Sequence, residues 1–169
     1  MNDQLRDELL ERVEKEQKLR LELTEHPDDV QLMMRMIEGD AQNTMWLDEV
    51  IKQYGWPGKS LVGDEGANAA FLLAQHSPSP VFQKRCLALL EMAASQGEAD
   101  FKNLAYLTDR VLISDGKPQI YGTQGMEKNG VIVPYPIEDE EHVDKRRKSI
   151  GLGPIDEHFK GMNESYKMK

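Results

Sequence analysis

The chain has one cysteine, Cys86, among 169 residues, so no intramolecular disulfide can staple it. Cys86 shares an apolar helical stripe with Val81, Leu89, Leu90 and Ala93, and no basic residue is set to lower its pKa. That pattern predicts a buried structural thiol rather than a nucleophile. No stretch approaches the roughly 18 apolar residues of a membrane span. The chain opens on charges (Asp3, Arg6, Asp7, Glu8) with no apolar run, which predicts a cytoplasmic protein. Positive charge is in deficit: the net charge is -9. A phosphate-tracking nucleic-acid binder carries a basic face, so nucleic acid is excluded as a partner, as is docking on anionic membrane. His26, His76, His142 and His158 show no zinc spacing. H-E-x-x-H, C-x-x-C, Walker, G-x-G-x-x-G and G-x-S-x-G patterns are all missing. Those absences argue against the common zinc, nucleotide and serine-hydrolase classes, and no metal or cofactor is expected.

What is present reads as amphipathic helix. Apolar residues make up 39% and charged residues 30% of the chain, a size and balance that support a globular core. Leu5, Leu9, Leu10 and Val13 recur at helical spacing over 2–25, and His26-Pro27 ends that helix. Asp28 is read as the cap of a second helix through Val30, Met33, Met34 and Ile37. Gly39-Asp40 is a break or a kink before a helical stretch over 40–54. Gly55-Trp56-Pro57-Gly58 stops it, 60–66 reads as loop, and a third helix spans 67–77. Ser79 and Pro80 suit the cap and first position of a fourth, which stops at Gly97. A fifth covers 100–113.

The character then changes. Segments 119–122 and 131–134 read as two short strands around the turn dipeptide Asn129-Gly130. Pro118, Pro134 and Pro136 confine them to an edge. Residues 138–148 read as helix, with Lys145-Arg146-Arg147-Lys148 following the acidic run 138–141 as a solvated, charge-laced face. The predicted fold is mainly α, an antiparallel helical array with a small C-terminal two-stranded β element. Its expected organisation is an N-terminal amphipathic helix (1–27), a helical core domain (28–154) and an irregular tail (155–169).

The segment Tyr121-Gly122-Thr123-Gln124, with Pro134-Tyr135-Pro136-Ile137-Glu138-Asp139 after it, concentrates polar, aromatic and turn-forming residues that a helical scaffold does not need for stability. Other ordered pieces accompany it: Asp40-x-x-Asn43-Thr44-x-x-Leu47, Gly55-Trp56-Pro57, Val62-Gly63, Ala69-Ala70-x-Leu72-Leu73-x-Gln75-His76 and Phe82-Gln83. Leu107-Thr108-Asp109-Arg110 and Val143-Asp144-x-Arg146-Arg147 complete the set. Together, over roughly 35–154, they resemble an uncharacterised bacterial family catalogued only as a domain of unknown function. The resemblance implies a pattern and no established activity. The chain departs from similar members after Gln75-His76, where Ser77-Pro78 stands in place of an acidic residue.

Several residues can carry chemistry. His76 lies on the face of Leu72 and Leu73 and is either a hydrogen-bonded core histidine or a general acid–base group. Asp109 can orient a histidine and Arg110 can clamp an anion, or the two can fix helix packing. Tyr121 and Gln124 offer a phenol and an amide on a turn that Gly122 relaxes, or that turn is simply pinned to the helices. Asp40, Asn43 and Thr44 share one helical face. The leading expectation is a pocket for a small polar or anionic molecule. In it His76 and Asp109 are the catalytic pair, and Arg110, Tyr121, Gln124, Asp40 and Asn43 bind the ligand; whether it is an enzyme stays open. The alternative is a non-catalytic interaction module (immunity, adaptor or regulatory protein). It would use a protein partner or a homodimer through the N-terminal helix, supported by the acidic surface and by Met33, Met34 and Met36.

Overall fold

The computed structural model describes residues 1–167, Lys167 by its backbone alone. The chain is mainly α, with a small two-stranded antiparallel sheet towards the C-terminus. It divides into two compact units, Met1–Asp100 and Phe101–Lys169. The division falls inside the expected core domain, and the N-terminal helix belongs to the first unit rather than standing apart.

The first unit consists of α1 (Asp3–Glu25), α2 (Val30–Tyr54), α3 (Lys59–Gln75) and α4 (Pro80–Ser95). Asn2 caps α1, its side chain accepting from the Leu5 N–H at 3.1 Å. The cap of α2 is Asp29, not Asp28: its carboxylate accepts from the N–H groups of Gln31 and Leu32 at 2.9 and 3.0 Å. Gly39-Asp40 neither breaks nor ends α2, which runs through it. Residues 60–66, read as loop, lie within α3, which starts at Lys59 and is interrupted at Gly63, whose φ is 73°. Such a φ suits glycine because no Cβ meets the following carbonyl. Ser79 and Pro80 start α4 as expected, with Ser79 Oγ accepting from the Phe82 N–H at 3.2 Å. Leu9, Leu47, Leu73 and Leu90, one from each helix, are fully enclosed and form the centre of the core. Trimming such a leucine to alanine typically costs about 2–5 kcal/mol. Cys86 is also enclosed, and burial pushes its thiol up to about 12.

The second unit holds α5 (Phe101–Ser114), β1 (Gly125–Lys128), β2 (Val131–Pro134), a 3-10 turn at Glu140–His142, α6 (Val143–Ser149) and α7 (Ile155–Lys167). The Asn129-Gly130 turn sits where predicted, both residues at positive φ. Because a two-residue turn pairs its immediate flanks, Lys128 faces Val131 and Gly125 faces Pro134. The first strand is therefore 125–128, not 119–122. Gln119 makes only an isolated bridge to Ile137. The tail read as irregular is α7. Its Phe159 is buried, and the Asn163 amide accepts from the Ile132 N–H at 2.7 Å and donates to the Ile132 carbonyl at 2.8 Å, closing an edge of β2. Among the described residues no helix is long and apolar enough to cross a membrane.

Candidate functional site

The seven residues expected to form one pocket fall into two groups. Asp40, Asn43 and His76 belong to the first unit, and Asp109, Arg110, Tyr121 and Gln124 to the second.

In the second unit Asp109 is fully buried. Its Oδ1 accepts from the N–H of Ile120 at 2.8 Å and of Tyr121 at 3.0 Å. Its Oδ2 accepts from the Thr123 N–H and hydroxyl, both at 2.9 Å. These four bonds use the carboxylate's acceptor sites, so none remains to orient a histidine. Buried Gln119 accepts from the Gln124 N–H at 2.9 Å and donates to the Gln124 and Tyr135 carbonyls, both at 3.0 Å. Arg147, expected on a solvated face, is 2% exposed. It donates to the carbonyls of Tyr121 at 2.8 Å, Gly122 at 3.2 Å and Gly153 at 2.6 Å. Burial lowers its pKa, opposed by Tyr106, Asp144 and Asp109. The Arg146 Nε donates to the Ile120 carbonyl at 2.9 Å. Segment 119–124 is thus stapled through its N–H groups to a carboxylate and through its carbonyls to guanidiniums. At Gly122 (φ +64°) an added Cβ would lie 2.5 Å from the Ile155 side chain. Gln124 turns its amide onto Thr123 Oγ1 at 3.0 Å, and Arg110 is exposed on α5. The motif residues here build a fixed loop.

The first unit assembles a different cluster. His76 follows the last turn of α3, and its Nδ1 is hydrogen-bonded to the Glu16 carboxylate of α1. A carboxylate only accepts, so Nδ1 is the donor in this bond. The ring is 20% exposed, whereas the Glu16 side chain is 3% exposed. Arg20, one turn along α1, donates Nε to the same Glu16 oxygen at 2.7 Å and Nη2 to Asp40 of α2 at 2.8 and 3.0 Å. One guanidinium therefore bridges two buried carboxylates. Burial pushes Glu16 up, but pairing with His76 and Arg20 outweighs it and holds the group below its usual value. Asp40 is left raised, because burial and the Glu16 charge exceed the relief from Arg20. Thr44 Oγ1 links the Asp40 carbonyl at 2.7 Å to Ser77 Oγ at 2.8 Å.

Glu16 and Asp40 both line an open groove of about 1040 Å³ between α1 and α2. Asn43 lines it too, accepting from Arg12 at 3.2 Å, and the Arg12 guanidinium stacks over Trp46 at 4.2 Å. The groove thus joins two of the expected ligand-binding residues, Asp40 and Asn43, to the carboxylate that holds His76. No group of three or more metal-ligating side chains occurs among the described residues.

The sequence profile of a family of unknown function, DUF6624, matches residues 3–169. The chain belongs to the DUF6624 family. No curated protein and no solved structure matches it. The match begins at residue 3, so in this DUF6624 protein the family region includes α1 with Glu16 and Arg20, which lie before the 35–154 stretch that carried the resemblance. Sequence reasoning missed both residues. Glu16 nevertheless carries a readable signal: it lies two helical turns beyond Leu9, on the stripe that α1 buries.

Proposed function

We propose that this DUF6624 protein binds a small polar molecule in the α1–α2 groove and that His76, oriented by Glu16, is its proton-transfer group. The observation that carries this is the Glu16–His76 hydrogen bond: a buried carboxylate fixes Nδ1, and Nε2 makes no hydrogen bond to any described residue. That arrangement supports general-base chemistry, in which the carboxylate sets the tautomer and stabilises the imidazolium that forms. Arg20 holds Asp40 beside the dyad, and Asn43 and Arg12 supply donors and acceptors along the groove. In this reading Asp109, Tyr121 and Gln124 shape the scaffold, and Glu16 takes the role first expected of Asp109. The acidic composition and the resemblance to a bacterial family support a cytoplasmic setting. The test is a thermal-shift screen of small polar metabolites on the wild type and on His76→Ala. A hit that raises the melting temperature of the first and not the second supports the site. A variant that only melts earlier, with its ligand response intact, rejects it.

A second reading, a protein-interaction module, draws on one observation. Val30, Met33, Met34 and Ile37 form an exposed apolar stripe along the start of α2, and Leu21 of α1 is exposed as well. Light scattering on the wild type and on Ile37→Glu would show whether that stripe sustains a dimer.

A further inference from the structure

The groove's charge and its one unsatisfied acceptor narrow the class of ligand; the inference rests on the groove being the binding site. Glu16 Oε1 receives both His76 and Arg20, whereas Oε2 is buried and accepts from nothing. A buried carboxylate oxygen without a donor is costly, and native structures seldom leave one so. Glu16 and Asp40 share the one guanidinium of Arg20, which leaves Glu16 Oε2 with no donor. The lining continues the imbalance. Arg12 is paired with Glu8, and Lys15 with Glu11. Arg35 has no ion pair among the described residues, but neither has Glu38 across the same lining. Six carboxylates line the groove (Asp7, Glu8, Glu11, Glu16, Glu38 and Asp40) against three cations (Arg12, Lys15 and Arg35), so the lining favours a cation over an anion. At a larger scale, residues 1–100 carry the whole net charge of -9, because Asp and Glu balance Lys and Arg over 101–169. Leu19 and Met36 supply an apolar wall beside the acidic floor.

We propose that the groove accepts an aliphatic primary amine, its ammonium seated against Glu16 and its alkyl chain along Leu19 and Met36. An ammonium offers three donors and no acceptor, which matches an orphan carboxylate oxygen in a groove lined by more carboxylates than cations.

The experiment is an NMR titration of the full-length protein, at low salt and pH 7, with n-butylamine, 1-butanol and butyrate. These share a chain and differ in headgroup charge. Butylamine is expected to shift the amide signals of α1 and α2 residues lining the groove and to bind at least about tenfold more tightly than the other two. In Glu16→Gln, folded by circular dichroism, the butylamine shifts are expected to vanish. If that variant does not fold, the three-probe comparison on the wild type decides alone. Equal or tighter binding of butanol or butyrate overturns the amine assignment and leaves the groove standing as a polar site. Undiminished butylamine binding in a folded Glu16→Gln overturns the seat. Silence from all three probes overturns the amine assignment, and the metabolite screen then judges the groove itself.

Discussion

Glu16 and His158 are two titratable side chains whose surroundings predict opposite arms of a pH profile. Glu16 is held below its usual carboxyl value once its pairing with His76 and Arg20 has overcome burial. A depressed carboxyl contributes stability that is present above its unfolded pKa, near 4.5, and is lost as pH falls through the folded value. Glu16→Gln is therefore expected to cost about 1–3 kcal/mol at pH 7, by replacing the carboxylate shared by Arg20 and His76 with a neutral amide that also brings an NH2 donor, and much less near pH 3. Urea denaturation at the two pH values measures both gaps, and equal gaps would refute the linkage. Asp40 carries the opposite sign: its raised carboxyl costs stability at neutral pH, and that cost fades as pH falls through the folded value. His158 is set between Tyr106 and Phe159 with both rings edge-on, and its Nε2 meets the Thr123 carbonyl at 3.2 Å. Burial lowers its pKa from 6.5; the Thr123 contact opposes the shift and Arg147 adds to it. The unfolded chain then binds more protons than the folded one just below pH 6.5, so stability rises with pH through that window. His158→Phe is expected to flatten the rise between about pH 5 and 7. A slope left unchanged would show that another group produces it.

The loop at 119–124 is an element without a repeating backbone pattern, held instead by buried side chains. Asp109 is the acceptor for three of its N–H groups, and Arg147 the donor to two of its carbonyls. Asp109→Asn removes half of that acceptor and adds donors facing other donors, so about 3 kcal/mol or more of stability should be lost. Amide exchange at 120, 121 and 123 should accelerate beyond what global unfolding explains, and unchanged protection there would count against the staple. Arg147→Lys is expected to fail as a substitute, because one ammonium does not reproduce a planar fork reaching three carbonyls. The same loop shows what was legible in the sequence. Local signals located α1, α2, α4 and α5, the Ser79-Pro80 start and the Asn129-Gly130 turn, because caps and turns are decided by neighbouring residues. The strand at 119–122 was misassigned because its backbone partners are side chains from α5 and α6, far along the chain. Arg147 looked solvated because charge pattern alone does not reveal a buried guanidinium. In α7, Ile155, His158, Phe159 and Met162 keep helical spacing, but Gly151, Gly153 and Pro154 just before them mask it. Of the proposed site, His76, Asp40 and Asn43 stand out by residue type and position, whereas their link through Glu16 and Arg20 depends on α1 packing against α2 and α3.

Across the whole molecule, charge is distributed as unevenly as the polar clusters are. All of the net charge of -9 lies in residues 1–100, and residues 101–169 are balanced. Two electrostatic effects of salt then compete in the first unit. Screening weakens exposed pairs such as Lys15–Glu11, whose side chains are 72% and 63% exposed, but such pairs contribute little to stability. Screening also relieves the mutual repulsion of the surplus carboxylates, a term that grows with net charge and acts over the Debye length, about 30 Å at 0.01 M and about 10 Å at 0.1 M. The surplus is large and the exposed pairs are weak, so relief of repulsion should win in α1 and α2. No such surplus acts in α5, the hairpin and α7. Hydrogen exchange at about 0.01 M and about 0.2 M sodium chloride, resolved by residue, is expected to show α1 and α2 amides slowing with salt while those of the second unit hold steady. Uniform slowing along the chain would mean that salt acts through burial rather than charge. Faster exchange in α1 and α2 would mean that the helix-surface ion pairs, not the surplus, dominate the electrostatics of the groove.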